Sequence, residues 1–560
     1  MDRKDVAYAL NEVGTLLDLL GEEPFRSKVY AKAARAVESL EDKLEVLIRR
    51  NQLIKVKGIG QGIAAQIKEL LETGEMAYLE ELKAQVPGDL IEMLSIRGLG
   101  PKKLRRLHLE LGVETLGELE YACLENRLVD LKGFGDKSQQ SILQGIAALN
   151  ANRGRFLLST AAAIADALQE AIAENDAVQR VAIAGEVRRS LLTVWSVDLV
   201  VATQDPQSLA RFLDERDELE REEDTAPPAD AWLGRHTSGP PVKIFFCQPE
   251  HFGTALWQRT GSESHCADLL KLCGGDIGVH ADENALYAST HCEYVEPELR
   301  EGGNEIEAAR QDRLPELISA ADVRGLIHNH TTYSDGADSL EEMARAVAEQ
   351  GYAYFGVADH SQSAVYARGL SPERLDEQRA EIEALDLPIT VLQGVESDIL
   401  RDGSLDYDDA VLERLDYVVA SVHGLFRLDR GEQTRRLVRA VSHPLCDILG
   451  HPTGRLLLSR EPYEVDLDAV LEAAAEHGVA IELNANPHRL DLDWRKIRRA
   501  MELGLMIAIN PDAHRVAGLD HVHFGVAAAR KGWLTRDHLL NALSADEFRE
   551  WIAARRARRR

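Results

Sequence analysis

Seven short apolar runs in the second half of this chain each end in a group that can ligate or titrate, and this repeat restricts the fold more than any other feature. They span 325–330, 354–360, 389–396, 417–423, 447–451, 479–484 and 506–512. Between them lie segments with apolar residues three and four apart, as in 340–347 and 469–475, the spacing of a helix with one buried face. Strand and helix therefore alternate, which predicts a parallel sheet with polar groups gathered at its C-terminal edge, where β/α barrels carry their chemistry.

The first run ends His328-Asn329-His330 and is followed by Asp335. Side chains two apart on a strand share a face, so the two imidazoles are expected side by side. With His360, Glu396, His423, His451, Asp512 and His514 they make nine nitrogen and oxygen donors without a thiolate, a set suited to Zn²⁺ or Mn²⁺ and too large for one ion. A single histidine at a strand end is ordinarily a satisfied structural group, but nine donors at or near equivalent strand ends are poorly explained as coincidental capping. Arg455 and Asn484, also near strand ends, are candidates for orienting a phosphate.

Six motifs carry a family resemblance: His-x-His followed by Ser334-Asp335-Gly336, Ala358-Asp359-His360, Gly394-Val395-Glu396, Ser421-Val422-His423-Gly424, Gly450-His451-Pro452-Thr453-Gly454 and Asp512-Ala513-His514. Together they resemble the PHP (polymerase and histidinol phosphatase) domain, a distorted (β/α)7 barrel. The resemblance implies up to three metal ions: one held by His328, His330, Glu396 and Asp512, a second by Glu396, His423 and His451, and a third by Asp335, His360 and His514.

At 560 residues the chain exceeds a single core and should hold several domains. Its six cysteines are scattered without a Cys-x-x-Cys pair, so no disulfide framework or zinc ribbon is expected and a reducing cytoplasm fits. No run reaches the ~18 apolar residues of a membrane span, and a membrane partner is not expected. The net charge of −29 opposes nucleic-acid binding in bulk, but residues 1–150 hold 21 Lys and Arg against 24 Asp and Glu, so the acidic excess lies elsewhere.

Within that N-terminal region, Gly58-Ile59-Gly60, Gly98-Leu99-Gly100 and Gly133-Phe134-Gly135 each follow an apolar-basic pair and precede a helical pattern, the second continuing into Pro101-Lys102-Lys103. Such turns aim backbone N–H groups outward at a helix start, where a phosphate can bind. They resemble the helix-hairpin-helix motif, which implies sequence-independent contact with the DNA backbone. In related enzymes a lysine at the position matching Gln66 acts as a Schiff-base nucleophile; Lys68, two residues on, would face another side of its helix.

Strands are predicted over 178–184, 197–201 and 242–247, after a helix over 161–173, with a charged surface loop over 214–230. With Gly185-Glu186-Val187-Arg188-Arg189, Thr260-Gly261-Ser262 and Glu296-Pro297-Glu298-Leu299-Arg300-Glu301, this order resembles the nucleotidyltransferase palm of family X DNA polymerases in their bacterial form, which carry a C-terminal PHP domain. The resemblance implies nucleotide-binding roles for Gly185, Arg188, Arg189 and Gly261. It departs at the catalytic carboxylates. The Asp-x-Asp pair reads Ser196-Val197-Asp198, leaving Asp198 as a vestige, and the third carboxylate position falls at Lys243. Two Mg²⁺ ions bridging a primer end and a triphosphate would find too little negative charge there.

The sequence thus leads us to expect a helix-hairpin-helix DNA-binding region over 1–150, an α+β palm and thumb over 151–322 and a PHP barrel over 323–560. The expected function is DNA repair by a metal-dependent 3′-5′ exonuclease or 3′-end phosphoesterase that acts as a monomer on gapped, nicked or 3′-ended duplex, with polymerase activity lost. Two alternatives stay open: an active gap-filling polymerase with exonuclease, and a small-molecule phosphatase of the histidinol phosphatase type.

Overall fold

The computed structural model describes all residues except 1–2, 22–23, 41–43, 51, 88, 125–127, 129–130, 132–133, 153, 223–229, 459 and 559–560. It forms two compact units, 1–153 and 154–560.

The first unit is helical. Arg3–Leu20 pairs lengthwise with Pro24–Glu38, and the helices Gln61–Thr73, Pro101–Leu111 and Asp136–Asn152 add apolar faces to one core around Leu10, Val13, Leu17, Ile67, Leu104, Leu107 and Ile146. Two of the glycine turns take the form their sequence requires. Gly58 and Gly98 have φ of +113° and +90°, a region closed to most L side chains, and Gly60 and Gly100 are the extended N-caps of the helices that follow. Gly133 lies outside the described residues, while Gly135 leads into Asp136–Asn152. A Cβ placed on Gly60, Gly98, Gly100 or Gly135 would meet nothing within 4 Å, so the approach to these helix starts is open.

The second unit begins with the helix Leu158–Ala173 over a five-stranded mixed sheet. Its strand Val197–Thr203 lies between Val178–Ala184, antiparallel, at one edge and the central Pro241–Cys247, parallel; Ala231–His236 and Leu219–Arg221 extend the far edge. The loop expected over 214–230 is thus partly an edge strand. Its charges hid the alternation, since only Leu219 of Leu219–Arg221 faces the core.

Seven parallel strands follow in chain order: Gly325–Leu326, Tyr354–Val357, Thr390–Asp398, Tyr417–Ser421, Ile448–Leu449, Ala480–Asn484 and Ile507–Asn510. A parallel bridge between Asn329 and Ala513, with His330 N–H donating to the Ala513 carbonyl at 2.8 Å, joins the first strand's end to the last and brings the barrel near closure. Its interior is packed by Ile327, Leu392, Val419, Ile448 and Ala508, and the helix Ala545–Ala557 stoppers the end where the strands start. Phe548 of that helix stacks on Tyr354 at 6.2 Å and meets Tyr417 edge-on at 5.7 Å. The glycine of Gly394-Val395-Glu396 is explained here, because a Cβ on it would come within 2.3 Å of the Tyr417 ring. Filled below, the barrel has space for chemistry only above its strand ends. Among the described residues, no helix is long and apolar enough to cross a membrane.

Candidate functional site

The nine donors converge above the strand ends. Ring centroids step from His328 to His330 (5.2 Å), His360 (4.5 Å), His423 (5.0 Å), His451 (5.2 Å) and back to His328 (6.1 Å), a closed circuit of five imidazoles. Glu396, 1% exposed, sits inside it with a carboxylate oxygen 2.9–3.6 Å from a nitrogen of every member. Asp512 lies on one side, 3.1 Å from His330 and 3.8 Å from His328. Asp335 lies on another, 3.3 Å from His514 and 3.6 Å from His360. Three groupings have metal-ligating spacing: His330, Asp335, His360 and His514; His328, His330 and Asp512; and His360, Glu396 and His423. His330 belongs to two of them, and its ring stacks on that of His514 at 4.2 Å.

The adjacency of His328 and His330 does not arise as the strand rule supposed. The strand ends at Leu326, and His328 has φ of +64°, left-handed backbone that turns the chain before the second histidine. His451 (φ +22°) and Asp512 (φ +51°) are likewise strained, as residues over-determined by a functional site often are.

The electrostatics suit cations. Burial pushes the Glu396 carboxyl up, but His423, His328 and His360 outweigh it and hold it well below the usual carboxylate range. His328 does most to hold Asp512 down against the same burial penalty. Burial, reinforced by His514 and His360, drives His330 down to about 3, so its ring is neutral. Both His330 nitrogens, His328 Nε2 and His451 Nδ1 are buried without a hydrogen bond. Of these, His328 Nε2 and His330 Nε2 face the carboxylates of Glu396 and Asp512, as ligands of a divalent ion would, and this donor set fits Zn²⁺ or Mn²⁺.

Asn484 donates to Asp512 at 2.9 Å and so orients a donor of this cluster. Arg455 is engaged otherwise: its guanidinium donates to the carbonyls of Arg489 and Leu490 and to Asp493 at 2.8 Å, which pins the loop after the sixth strand. The cation that reaches the centre is Arg489, with Nε 3.7 Å from Asp512 and a side chain still 19% exposed. Sequence reasoning passed it over because its approach to Asp512 depends on how the loop after the sixth strand folds. Two carboxylates were also missed, because each acts on a partner remote in sequence: Asp398 accepts from His423 Nδ1 at 2.6 Å, and Glu482 accepts from His328 Nδ1 at 2.6 Å.

The palm positions are assembled differently. Asp198 pairs in register with Lys243 across the parallel strands and accepts from Ser196 Oγ at 2.7 Å. Burial raises its carboxyl, with Ser196, Lys243 and Arg259 opposing. Gly185 (φ +63°) packs so closely that a Cβ would meet Asp198 at 2.6 Å. Arg188 is held by Glu283 through two bonds of 2.5 and 3.0 Å. Arg189 donates to Glu301 and to the Thr260 carbonyl, just before Gly261. From the barrel, the buried Lys531 donates to the Arg189 carbonyl and to Glu301. In the helical unit, Gln66 accepts from Tyr30 at 3.0 Å.

Comparison with known proteins matches the helical region and the barrel to known families. Residues 1–76 match the helix-hairpin-helix domain, 90–148 the SAM-like helix-hairpin-helix tandem and 327–486 the PHP domain. A probable phosphatase of Thermoanaerobacter sp. (strain X514) is 28% identical over 236 residues, covering 38% of this chain and 88% of its own. One of Vibrio atlanticus (strain LGP32) is 32% identical over 212 residues, 35% of this chain and 81% of its own. The DNA polymerase/3′-5′ exonuclease PolX of Bacillus subtilis (strain 168) is 35% identical over 574 residues, covering 99% of both chains. An alignment of that identity along the whole length, with helix-hairpin-helix domains at one end and a PHP domain at the other, places this chain in the bacterial PolX family.

Proposed function

We propose that this PolX-family chain acts in DNA repair as a metal-dependent 3′-5′ exonuclease or 3′-end phosphoesterase whose palm no longer polymerises. The observation that carries the reading is Glu396 enclosed by five imidazoles at the open end of the barrel. We assign residues 1–150 to DNA binding, 151–322 to a palm and thumb retained as structure, and 323–560 to hydrolysis. The relative's printed activities and the probable phosphatases matching the barrel support hydrolysis of a phosphate ester. Up to three Mn²⁺ or Zn²⁺ ions would be held by the nine donors, with Glu396 shared between two groups. Bound there, divalent ions supply Lewis-acid stabilisation of phosphoryl charge and acidify water.

The chain's own groups have distinct tasks. Neutral His330 and the ionised Glu396 and Asp512 offer lone pairs without first losing a proton. Arg489, partly exposed beside Asp512, is placed to grip a phosphate oxygen, the task the sequence suggested for Arg455. The glycine turns anchor duplex of any sequence through its backbone, consistent with a monomer working on gapped, nicked or 3′-ended DNA.

Purified protein with Mn²⁺ and an end-labelled primer-template should shorten the primer from its 3′ end, and Arg489→Ala should lose about 10²-fold in rate with the metal content kept. Hydrolysis of small phosphomonoesters with no action on DNA would favour the histidinol phosphatase reading instead. For the helical region, Lys102→Ala with Lys103→Ala should weaken duplex binding equally for unrelated sequences and flatten the dependence of log K on log salt by about one per lysine. An unchanged salt slope would remove those lysines from the DNA contact.

A further inference from the structure

Glu482 stands in the sixth barrel strand, fully buried, two residues before Asn484 and so on the same face of the strand. Both carboxylate oxygens are satisfied by donors. Oε1 accepts from His328 Nδ1 at 2.6 Å and from Asn510 Nδ2 at 2.8 Å; Oε2 accepts from the His451 backbone N–H at 2.7 Å and from Asn484 Nδ2 at 3.3 Å. Asn484 in turn donates to Asp512. One carboxylate therefore bears on three of the nine donors, arriving from the first, fifth and seventh strands. All three, His328, His451 and Asp512, have the left-handed backbone that needs outside support.

On the reading that the pocket holds divalent ions, we infer that Glu482 is the positioning residue of the centre: it fixes the His328 ring with Nδ1 protonated and Nε2 aimed inward, and seats the His451 and Asp512 segments around the same point. An ionised carboxylate can only accept, so the His328 nitrogen 2.6 Å from it has to carry the proton. The other nitrogen is then a bare lone pair, and it lies 3.3 Å from Glu396 and 3.8 Å from Asp512. With four donors upon it, Glu482 has no lone pair left to serve as a ligand itself, and it falls in none of the three groupings with metal-ligating spacing. A carboxylate behind a metal-bound histidine sets the tautomer and raises the basicity of the ring. Glu482 does this for His328 while also holding a strand end that carries another ligand.

Glutamine is the informative substitution, being the same size but able to accept at one end only. Its amide nitrogen would face two N–H donors, at His328 and Asn510 or at His451 and Asn484, and one set would lose its acceptor. Full-length wild-type and Glu482→Gln proteins, stripped with chelator and shown folded by circular dichroism, would be titrated with Mn²⁺ while the free ion is followed by electron paramagnetic resonance. The expected result is Mn²⁺ binding about 10- to 100-fold weaker in the variant, with at least one ion fewer per chain at equal free metal. Equal affinity and stoichiometry would overturn the inference. Absence of tight Mn²⁺ or Zn²⁺ binding by the wild type would instead overturn the metal reading beneath it. Nitrogen-15 spectra of histidine-labelled wild-type protein with Zn²⁺, assigned through His328→Gln, give a test that needs no folded Glu482 variant. His328 should show a protonated Nδ1, and a protonated Nε2 would refute the positioning role.

Discussion

Glu396→Ala is expected to cost the hydrolytic activity about a thousandfold or more and to release metal from both of the sites proposed to share this carboxylate. The substitution removes the one carboxylate that all five imidazoles of the circuit face, at 2.9–3.6 Å. A Lewis-acid contribution of several kcal/mol, at about 1.4 kcal/mol per factor of ten, sets that scale. Without this carboxylate the sites proposed to share it lose both a donor and a negative charge, so retained ions should be fewer by direct elemental analysis and not merely weaker. Asp335→Ala is the comparison, since Asp335 belongs to one grouping, with His330, His360 and His514, and its loss should leave the remaining groups loaded. A chelator-treated Glu396→Ala protein that still digests a labelled 3′ end at the wild-type rate would refute the assignment of the centre.

The second large expectation is an absence of synthesis. On a gapped primer with all four deoxynucleotides and Mg²⁺ or Mn²⁺, the unaltered chain should show no extension, and Asp198→Ala should leave exonuclease action as it was. Polymerisation needs two ions held by three carboxylates. Here one position is Ser196, whose hydroxyl bonds Asp198, and another is Lys243, a residue in register beside the same aspartate whose charge acts on it. Losing several kcal/mol for each of two ions puts the deficit on the order of a millionfold. The side chains that would grip a triphosphate are also engaged, Arg188 by Glu283 and Arg189 by Glu301. Ser196→Asp with Lys243→Asp should restore divalent-ion binding to the palm, measured by calorimetry in a Glu396→Ala background. Extension by the wild type that disappears in Asp198→Ala would show the palm to be active.

How far these sites could be read in advance depended on whether a group's position follows from its own segment. The barrel was legible because each strand carries its polar tip with it, and repetition made seven weak signals into one strong one. The glycine turns were legible because φ at Gly58 and Gly98 is a local property. What escaped depended on a partner remote in sequence. Arg455 and Arg489 look alike in the sequence, and only the fold of the two loops that carry them decides which meets Asp493 and which meets Asp512. Glu482 reads as an ordinary residue of a buried strand until His328, 154 positions away, is set against it. The pairing of His328 with His330 was anticipated for the wrong reason, since an extended strand was assumed where the backbone turns left-handed.

The stopper formed by Phe548 against Tyr354 and Tyr417 gives the barrel the topology of a cup. A cup has one rim, and whatever is cut loose inside it must leave past whatever is still reaching in. On the proposed reaction, the freed nucleotide and the shortened strand share a single doorway. Each cycle then requires one of them to yield before the next phosphate can be presented, so the traffic at the rim, set by the shape of the fold, becomes part of how fast a 3′ end can be trimmed.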